Sequence, residues 1–230
     1  MKSGTKAQAV RAAFVASVVL SVFAFGLSHG ARAEFTPVSS DSVDPVLLGK
    51  FRNTNYYVVM ELDYLHHPLD TFVRDMRGQT LAIVSTPFKQ AMDIEGTGKL
   101  IAGDVLNYAG RVNKEIRYKI TKNEFGDGVG TCALVPFHTI AVDPKTIPLG
   151  SVVQIAETIG MVLPDGSIHD GIWRAEDVGG AIKGDRIDLF IGARTNAKTL
   201  VRAGITHLKP LTIRLLETPT ESCVSRAPEI

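Results

Sequence analysis

From Thr139 onward, apolar and polar residues trade places along short runs that end in Gly, Asp or Pro. Alternation of period two marks strands with one face covered, and a period near 3.6 marks a helix. The pattern predicts strands over Thr139–Val142, Ser151–Ala156, Gly171–Glu176, Arg186–Ile191 and Leu211–Glu217, with a helix over Asn196–Ala203. Upstream, Thr54–Leu62, Thr80–Ser85, Phe88–Glu95, Lys99–Tyr108 and Ile116–Ile120 read as further strands, and Leu69–Arg77 as a short helix. Many short strands separated by turn signals predict a mainly β fold, a sandwich or a small barrel.

The run Ile187-Asp188-Leu189-Phe190-Ile191 is the sharpest of these patterns. Ile187, Leu189 and Ile191 share one face, and Asp188 and Phe190 the other. If the first face fills a barrel, Asp188 points outward beside an aromatic ring. Upstream, the stretch WRAEDVGGAIKGDRIDLFIG places Asp177 and Asp188 on either side of a turn containing Gly179, Gly180 and Gly184, which can take backbone angles closed to other residues. A carboxyl beside Phe190 and partly covered by a ligand would hold its proton more tightly than free aspartic acid and could serve as a general acid. The other reading of Asp188 is a surface aspartate paired with Lys183 or Arg186.

The strands also repeat. Ala141-Val142-Asp143, six residues, Gly150, two residues and Val153-Gln154-Ile155 align without a gap to Ala175-Glu176-Asp177, six residues, Gly184, two residues and Ile187-Asp188-Leu189. Such a repeat predicts a barrel with internal twofold symmetry. In it Asp143 and Asp177 occupy the same place and share a loop-capping role, while Asp188 falls opposite Gln154, where an amide is tolerated.

Charge and composition narrow the setting. Lys2, Lys6 and Arg11 precede an apolar run from Ala12 to Leu27 and an Ala31-Arg32-Ala33 sequence, the form of a secretory leader over residues 1–33. The run, about 16 residues, falls short of the roughly 20 that span a bilayer. Removing the leader takes four basic residues and no acids, which leaves 21 basic against 24 acidic residues. A mildly acidic chain without a basic stripe argues against a nucleic-acid partner and against adhesion to anionic lipid. Cys132 and Cys223, an even pair in an exported chain, predict one disulfide.

Other polar residues suggest chemistry less strongly. Asp63, His66 and His67 match no standard metal-ligand spacing and read as a turn with surface imidazoles, so no metal and no cofactor is expected. Lys183 either touches a ligand or is a solvated loop charge. His169 and Asp170, in PDGSIHDG, read as a hairpin loop. Trp173 reads as barrel packing, and Phe190 is a candidate for stacking on a ligand.

The combination AVDPKTIPLG, EDVGGAIKG and RIDLF, over roughly residues 101–217, resembles the "3D" or three-aspartate domain at the C-terminal end of the membrane-bound lytic transglycosylase A family. The resemblance makes Asp143, Asp177 and Asp188 the three aspartates. It implies a six-stranded double-psi β-barrel, similar to those of expansins and of rare lipoprotein A, with a short N-terminal extension. The expected division is a leader over 1–33, an extension or groove-forming segment over 34–98, the barrel over 99–218 and a tail over 219–230. The implied activity is cleavage, without water, of the β-1,4 bond between N-acetylmuramic acid and N-acetylglucosamine in peptidoglycan, leaving a 1,6-anhydro sugar. Asp188 would be the acid and base and Asp177 its neighbour, with Asp143, Gly179, Gly180, Lys183 and Phe190 toward the glycan. A noncatalytic glycan-binding barrel and a structural envelope component are the alternatives. The expected setting is the periplasm or outside the cell, as a monomer without stable membrane insertion.

Overall fold

A computed structural model describes residues 44–130, 132–219 and 223. The leader expected over residues 1–33 lies outside them. Among the described residues, twelve strands and two α-helices follow in chain order: β1 (Val46–Tyr56), β2 (Val59–Met60), β3 (Thr71–Arg74), β4 (Thr80–Val84), α1 (Thr86–Glu95), β5 (Thr97–Lys99), β6 (Val105–Val112), β7 (Glu115–Thr121), β8 (Thr139–Ala141), β9 (Val152–Ile155), β10 (Ile172–Asp177), β11 (Arg186–Phe190), α2 (Ala197–Arg202) and β12 (Pro210–Glu217). Six of the strands close a barrel in the order β1-β11-β8-β10-β9-β12.

Two pairs in the ring, β1 with β11 and β10 with β8, are parallel, and the other four are antiparallel. Exchanging β1 with β10, β8 with β11 and β9 with β12 reproduces every neighbour and every direction. This is the internal twofold of a double-psi barrel. It is not the twofold expected from the repeat at Asp143 and Asp177, which matches β8 to β10 and β9 to β11 and so runs one strand out of step. Gln154 is therefore not the symmetry mate of Asp188, and the inference that the scaffold tolerates an amide there falls.

The barrel is also not confined to residues 99–218. Its first strand, β1, lies within the stretch assigned to an extension, because the parallel β1–β11 pairing joins segments more than a hundred residues apart (Arg52 beside Arg186, Tyr56 beside Phe190). No local pattern announces such a contact. The interior follows the alternation: Phe51, Ile140, Val153, Ile155, Trp173, Ile187, Leu189, Ile191, Leu211 and Ile213 form one buried cluster. Trp173 is fully buried within it and donates its indole N–H to Thr158 Oγ1 at 3.0 Å, which satisfies the one polar atom it carries.

Residues 57–138, between β1 and β8, form an inserted lobe. It holds a four-stranded sheet, β2-β5-β6-β7, a β3–β4 hairpin and α1. Its own core is Val59, Val73, Val84, Phe88, Met92, Leu106, Ile116 and Tyr118. Two elements differ from the sequence expectation. Leu69–Arg77 is not a helix: Phe72 is exposed while Val73 is fully buried, the alternation of a strand, and the turn after β3 is held by Asp75 Oδ1, which accepts the N–H groups of Arg77 and Gln79. Phe88–Glu95 is not a strand but most of α1. Ser85 caps the helix by accepting the Phe88 N–H, a proline occupies its first turn, and Gly96 ends it in the left-handed conformation at φ 86°. Phe88 and Met92, four apart, bury the inner face.

Cys132 and Cys223 are joined in a disulfide with Cα atoms 5.0 Å apart, tying the approach to β8 to the segment after β12. Among the described residues, no helix is long and apolar enough to cross a membrane.

Candidate active site

The site forms on the outer face of the barrel, where β10 ends, β11 returns and β1 leaves for the inserted lobe. Because Ile187, Leu189 and Ile191 are committed to the interior, the pleat turns Asp188 outward. In register it stands beside Thr54 of β1 and opposite Ala141 of β8. Asp188 is half-buried, and its Oδ1 is out of contact with water yet has no hydrogen-bond partner. An unpartnered buried oxygen is costly for a carboxylate and far less so for a carboxylic acid. Among the described residues, Asp188 makes no ion pair. The pairing with Lys183 or Arg186 considered from sequence is not formed.

Asp177, the last residue of β10, is held from two sides. Its Oδ1 accepts the Val178 N–H at 2.8 Å, and its Oδ2 accepts the Tyr56 hydroxyl at 2.7 Å. Tyr56 in turn packs on Phe190 with ring centroids 5.0 Å apart. Burial pushes Asp188 up to about 6, against the pull of the Thr54 hydroxyl and the Arg186 and His207 charges. Burial likewise pushes Asp177 up to about 6, with the Tyr56 and Val178 hydrogen bonds pulling down and the Asp188 charge pushing up. Tyr56 itself is moved well above the usual tyrosine range, first by burial and then by the Asp177 charge, so it remains a hydrogen-bond donor. Two neighbouring carboxyls that both titrate near pH 6 can donate a proton and, once ionised, take one back.

The third aspartate does different work. Asp143 Oδ2 accepts the Gly184 N–H at 2.8 Å and its Oδ1 accepts the Lys145 N–H at 3.1 Å. These backbone donors hold Asp143 below the usual aspartate range. Its carboxylate is used in tying the β8–β9 loop to the loop before β11. Of the three turn glycines, only Gly184 has a positive φ, 59°. Gly179 is needed for space instead, since a Cβ there would sit 2.6 Å from Ile182 Cγ1, while Gly180 faces open space. Lys183 is exposed on this turn.

One further expectation is corrected, and another is refined. Phe190 cannot stack on a ligand: it is fully buried in a cluster with Tyr56, Val58, Leu134, Ala141 and Ile182, and so forms the wall behind the acids. His169 ends the hairpin expected there, in which Val162 pairs with Ile168, but its ring is buried. It is 2% exposed, lies between His138 and Trp173 with centroids 5.2 and 5.0 Å away, and bonds through both ring nitrogens, to the Phe137 carbonyl and the Gly171 N–H. Burial holds it below the usual histidine range, as the neutral ring those bonds require. Asp170 accepts the Ile172 N–H and shapes the turn.

Sequence reasoning missed Thr54, Tyr56 and Glu95. The first two reach the acids only through the long-range β1–β11 pairing, so nothing local marks them. Glu95, at the end of α1, is pushed up to about 7 by burial and by the Asp188 charge. A cavity of about 560 Å³ lies elsewhere, beside α2, among Glu157, Met161, Leu163, Lys198 and Arg202, and includes none of Glu95, Asp177 and Asp188.

Comparison with known proteins places this geometry in context. Residues 138–209 match the family model described as the 3D domain. No curated protein matches the sequence. Among solved structures, MltA of E. coli with bound chitohexaose is 16% identical at a TM-score of 0.51, over 75% of this chain and 73% of that one. The lytic transglycosylase LtgG of Burkholderia pseudomallei is 20% identical at a TM-score of 0.40, over 72% and 71%. A membrane-bound lytic murein transglycosylase of Agrobacterium tumefaciens is 16% identical at 0.44, over 73% and 67%. Residues 138–209 are thus similar to the 3D domain, within a chain that shares the fold of E. coli MltA.

Proposed function

We propose that this protein is a lytic transglycosylase that cleaves the β-1,4 bond between N-acetylmuramic acid and N-acetylglucosamine in peptidoglycan and releases a 1,6-anhydro end. The observation that carries the reading is Asp188: an outward-facing, half-buried carboxyl with an unpartnered oxygen, raised to about 6 beside a second carboxyl. The fold shared with a glycan-bound MltA structure and the 3D-domain match support it.

In this mechanism Asp188 gives its proton to the leaving glycosidic oxygen as the bond from the anomeric carbon breaks. The carboxylate so formed takes the proton of the C6 hydroxyl while that oxygen bonds to the anomeric carbon. No water is consumed, and the acid is regenerated. An internal nucleophile removes the need for the second catalytic carboxylate of an ordinary glycosidase. Asp177, fixed by Tyr56 and Val178, orients the sugar and opposes early ionisation of Asp188. The substrate sets the location outside the cytoplasm, consistent with removal of residues 1–33 on export.

Digestion of purified sacculi in ¹⁸O-water tests the proposal. It requires anhydro-muropeptides free of label. Labelled reducing ends would mean hydrolysis, retention on sacculi without product would mean a binding module, and neither product nor retention would leave an envelope component; each outcome overturns the reading.

A further inference from the structure

The inserted lobe sends one carboxyl toward the acid pair. Glu95 is the last residue of α1, and its Oε2 accepts the backbone N–H of Tyr57 at 3.2 Å. Tyr57 directly follows the end of β1, and Thr54, three residues earlier, is the β1 residue in register with Asp188. Three residues of extended chain, at about 3.3 Å each, put the anchor of Glu95 roughly 10 Å along β1 from Asp188. The side chain is half-buried, and Tyr56 lies within reach of the charges of Glu95, Asp177 and Asp188.

We infer that Glu95 is a positioning residue for the acid: when ionised it opposes the ionisation of Asp188, and so keeps the proton on Asp188 as the pH rises toward neutrality. The groups facing Glu95 are Tyr56 and Tyr57, Asp188 from β11, and Arg194 from the turn that follows β11. Those facing Asp188 are Thr54 and Tyr56 from β1, Asp177 from β10, Arg186 from its own strand and His207 from the loop before β12. The cations among them pull Asp188 down. Glu95 therefore joins Asp177 on the opposing side, and it does so from a different lobe. Coupling between two carboxyls is reciprocal: the Asp188 charge falls on Glu95, the later of the two to ionise, and an ionised Glu95 acts equally on Asp188 once its own proton is gone.

For a charge separation on the order of 10 Å, the scale that offset sets, and an effective dielectric constant of about 20, two unit charges interact by about one pK unit, a factor of about ten in protonated fraction. Water at the half-exposed carboxyls reduces that to between about three- and tenfold. The effect is absent where Glu95 is itself protonated, below about pH 6, and full once it has ionised, above about pH 8.

Glu95→Gln keeps the acceptor for the Tyr57 N–H and removes the charge, and Glu95→Asp keeps the charge. Carboxyl ¹³C NMR of Asp188 reads the coupling without reference to catalysis. In Glu95→Gln the protonated fraction of Asp188 at pH 8 is expected to fall about three- to tenfold, with no change at pH 5, and Glu95→Asp to retain most of it. An Asp188 titration curve identical in wild type and Glu95→Gln would overturn the inference. The activity arm rests on the proposed lytic reaction: the wild-type to Glu95→Gln ratio of anhydro-product rates should be near one at pH 5 and rise about three- to tenfold by pH 8. A ratio constant with pH would signify a structural or sugar-contact role and refute the coupling. Absence of product from the wild type would defeat the lytic reading alone, and the NMR titration would then decide the role of Glu95 by itself.

Discussion

Replacing Asp188 by Asn should make the protein more stable while making it inactive, and the gain should depend on pH. In the folded state burial pushes Asp188 from 3.8 up to about 6. The unfolded chain releases this proton near pH 4 and the folded chain only near pH 6, so the folded state binds more protons in that window and loses stability as the pH rises through it. A shift of about 2 units at about 1.4 kcal/mol each gives a cost of about 3 kcal/mol, fully present above about pH 6 and absent below about pH 4. The asparagine amide carries no charge and escapes it. For a body of this size, about 3 kcal/mol corresponds to a Tm difference of roughly 6–12 °C. Thermal unfolding followed by circular dichroism, wild type against Asp188→Asn at pH 4 and pH 8, reads the difference directly. The variant should match the wild type at pH 4 and exceed it at pH 8. Equal stabilisation at both pH values, or destabilisation at pH 8, would refute the claim that this carboxyl is forced to ionise in a place that resists charge.

Tyr56→Phe removes the hydroxyl that Asp177 accepts. The loss should be about 1.5–3 kcal/mol at pH 8, where the acceptor is ionised, and smaller at pH 5, measured as the shift in urea midpoint. A loss independent of pH would mean that the ring, not the hydrogen bond, carries the effect. Gly179→Ala drives a methyl against Ile182 and should destabilise by about 1–3 kcal/mol, whereas Gly180→Ala, facing open space, should be within about 0.5 kcal/mol of wild type. Equal effects at the two positions would contradict the geometry of the turn.

How far the sequence foretells this arrangement depends on how local each signal is. The alternation at Ile187–Ile191 put Asp188 on the outer face, and the structure keeps it there because three neighbouring apolar residues have nowhere else to go. The strands of the second half follow from the same period. The helix α1 was legible in principle. Ser85, Pro87 and Gly96 are start and stop signals, and Phe88 and Met92 keep helical spacing, but a short apolar-polar run also fits a strand. The repeat misled because two strand-loop-strand units of similar length resemble each other whether or not the symmetry axis relates them. The pairing of β1 with β11 was illegible, since it is long-range and parallel. With it went Thr54, Tyr56 and, one residue past the strand, the anchor of Glu95. Phe190 shows the limit of alternation: its face is outward from the barrel, yet Phe125, Val58 and Leu134 from the inserted lobe cover it.

The measurement closest to the central claim is the rate of anhydro-muropeptide release from sacculi at pH 6 by wild type and by Asp188→Asn, each shown folded by circular dichroism. Loss of the general acid predicts a fall of on the order of 10²–10⁴ in the variant. Release at the wild-type rate by Asp188→Asn would contradict the assignment of the proton to this residue.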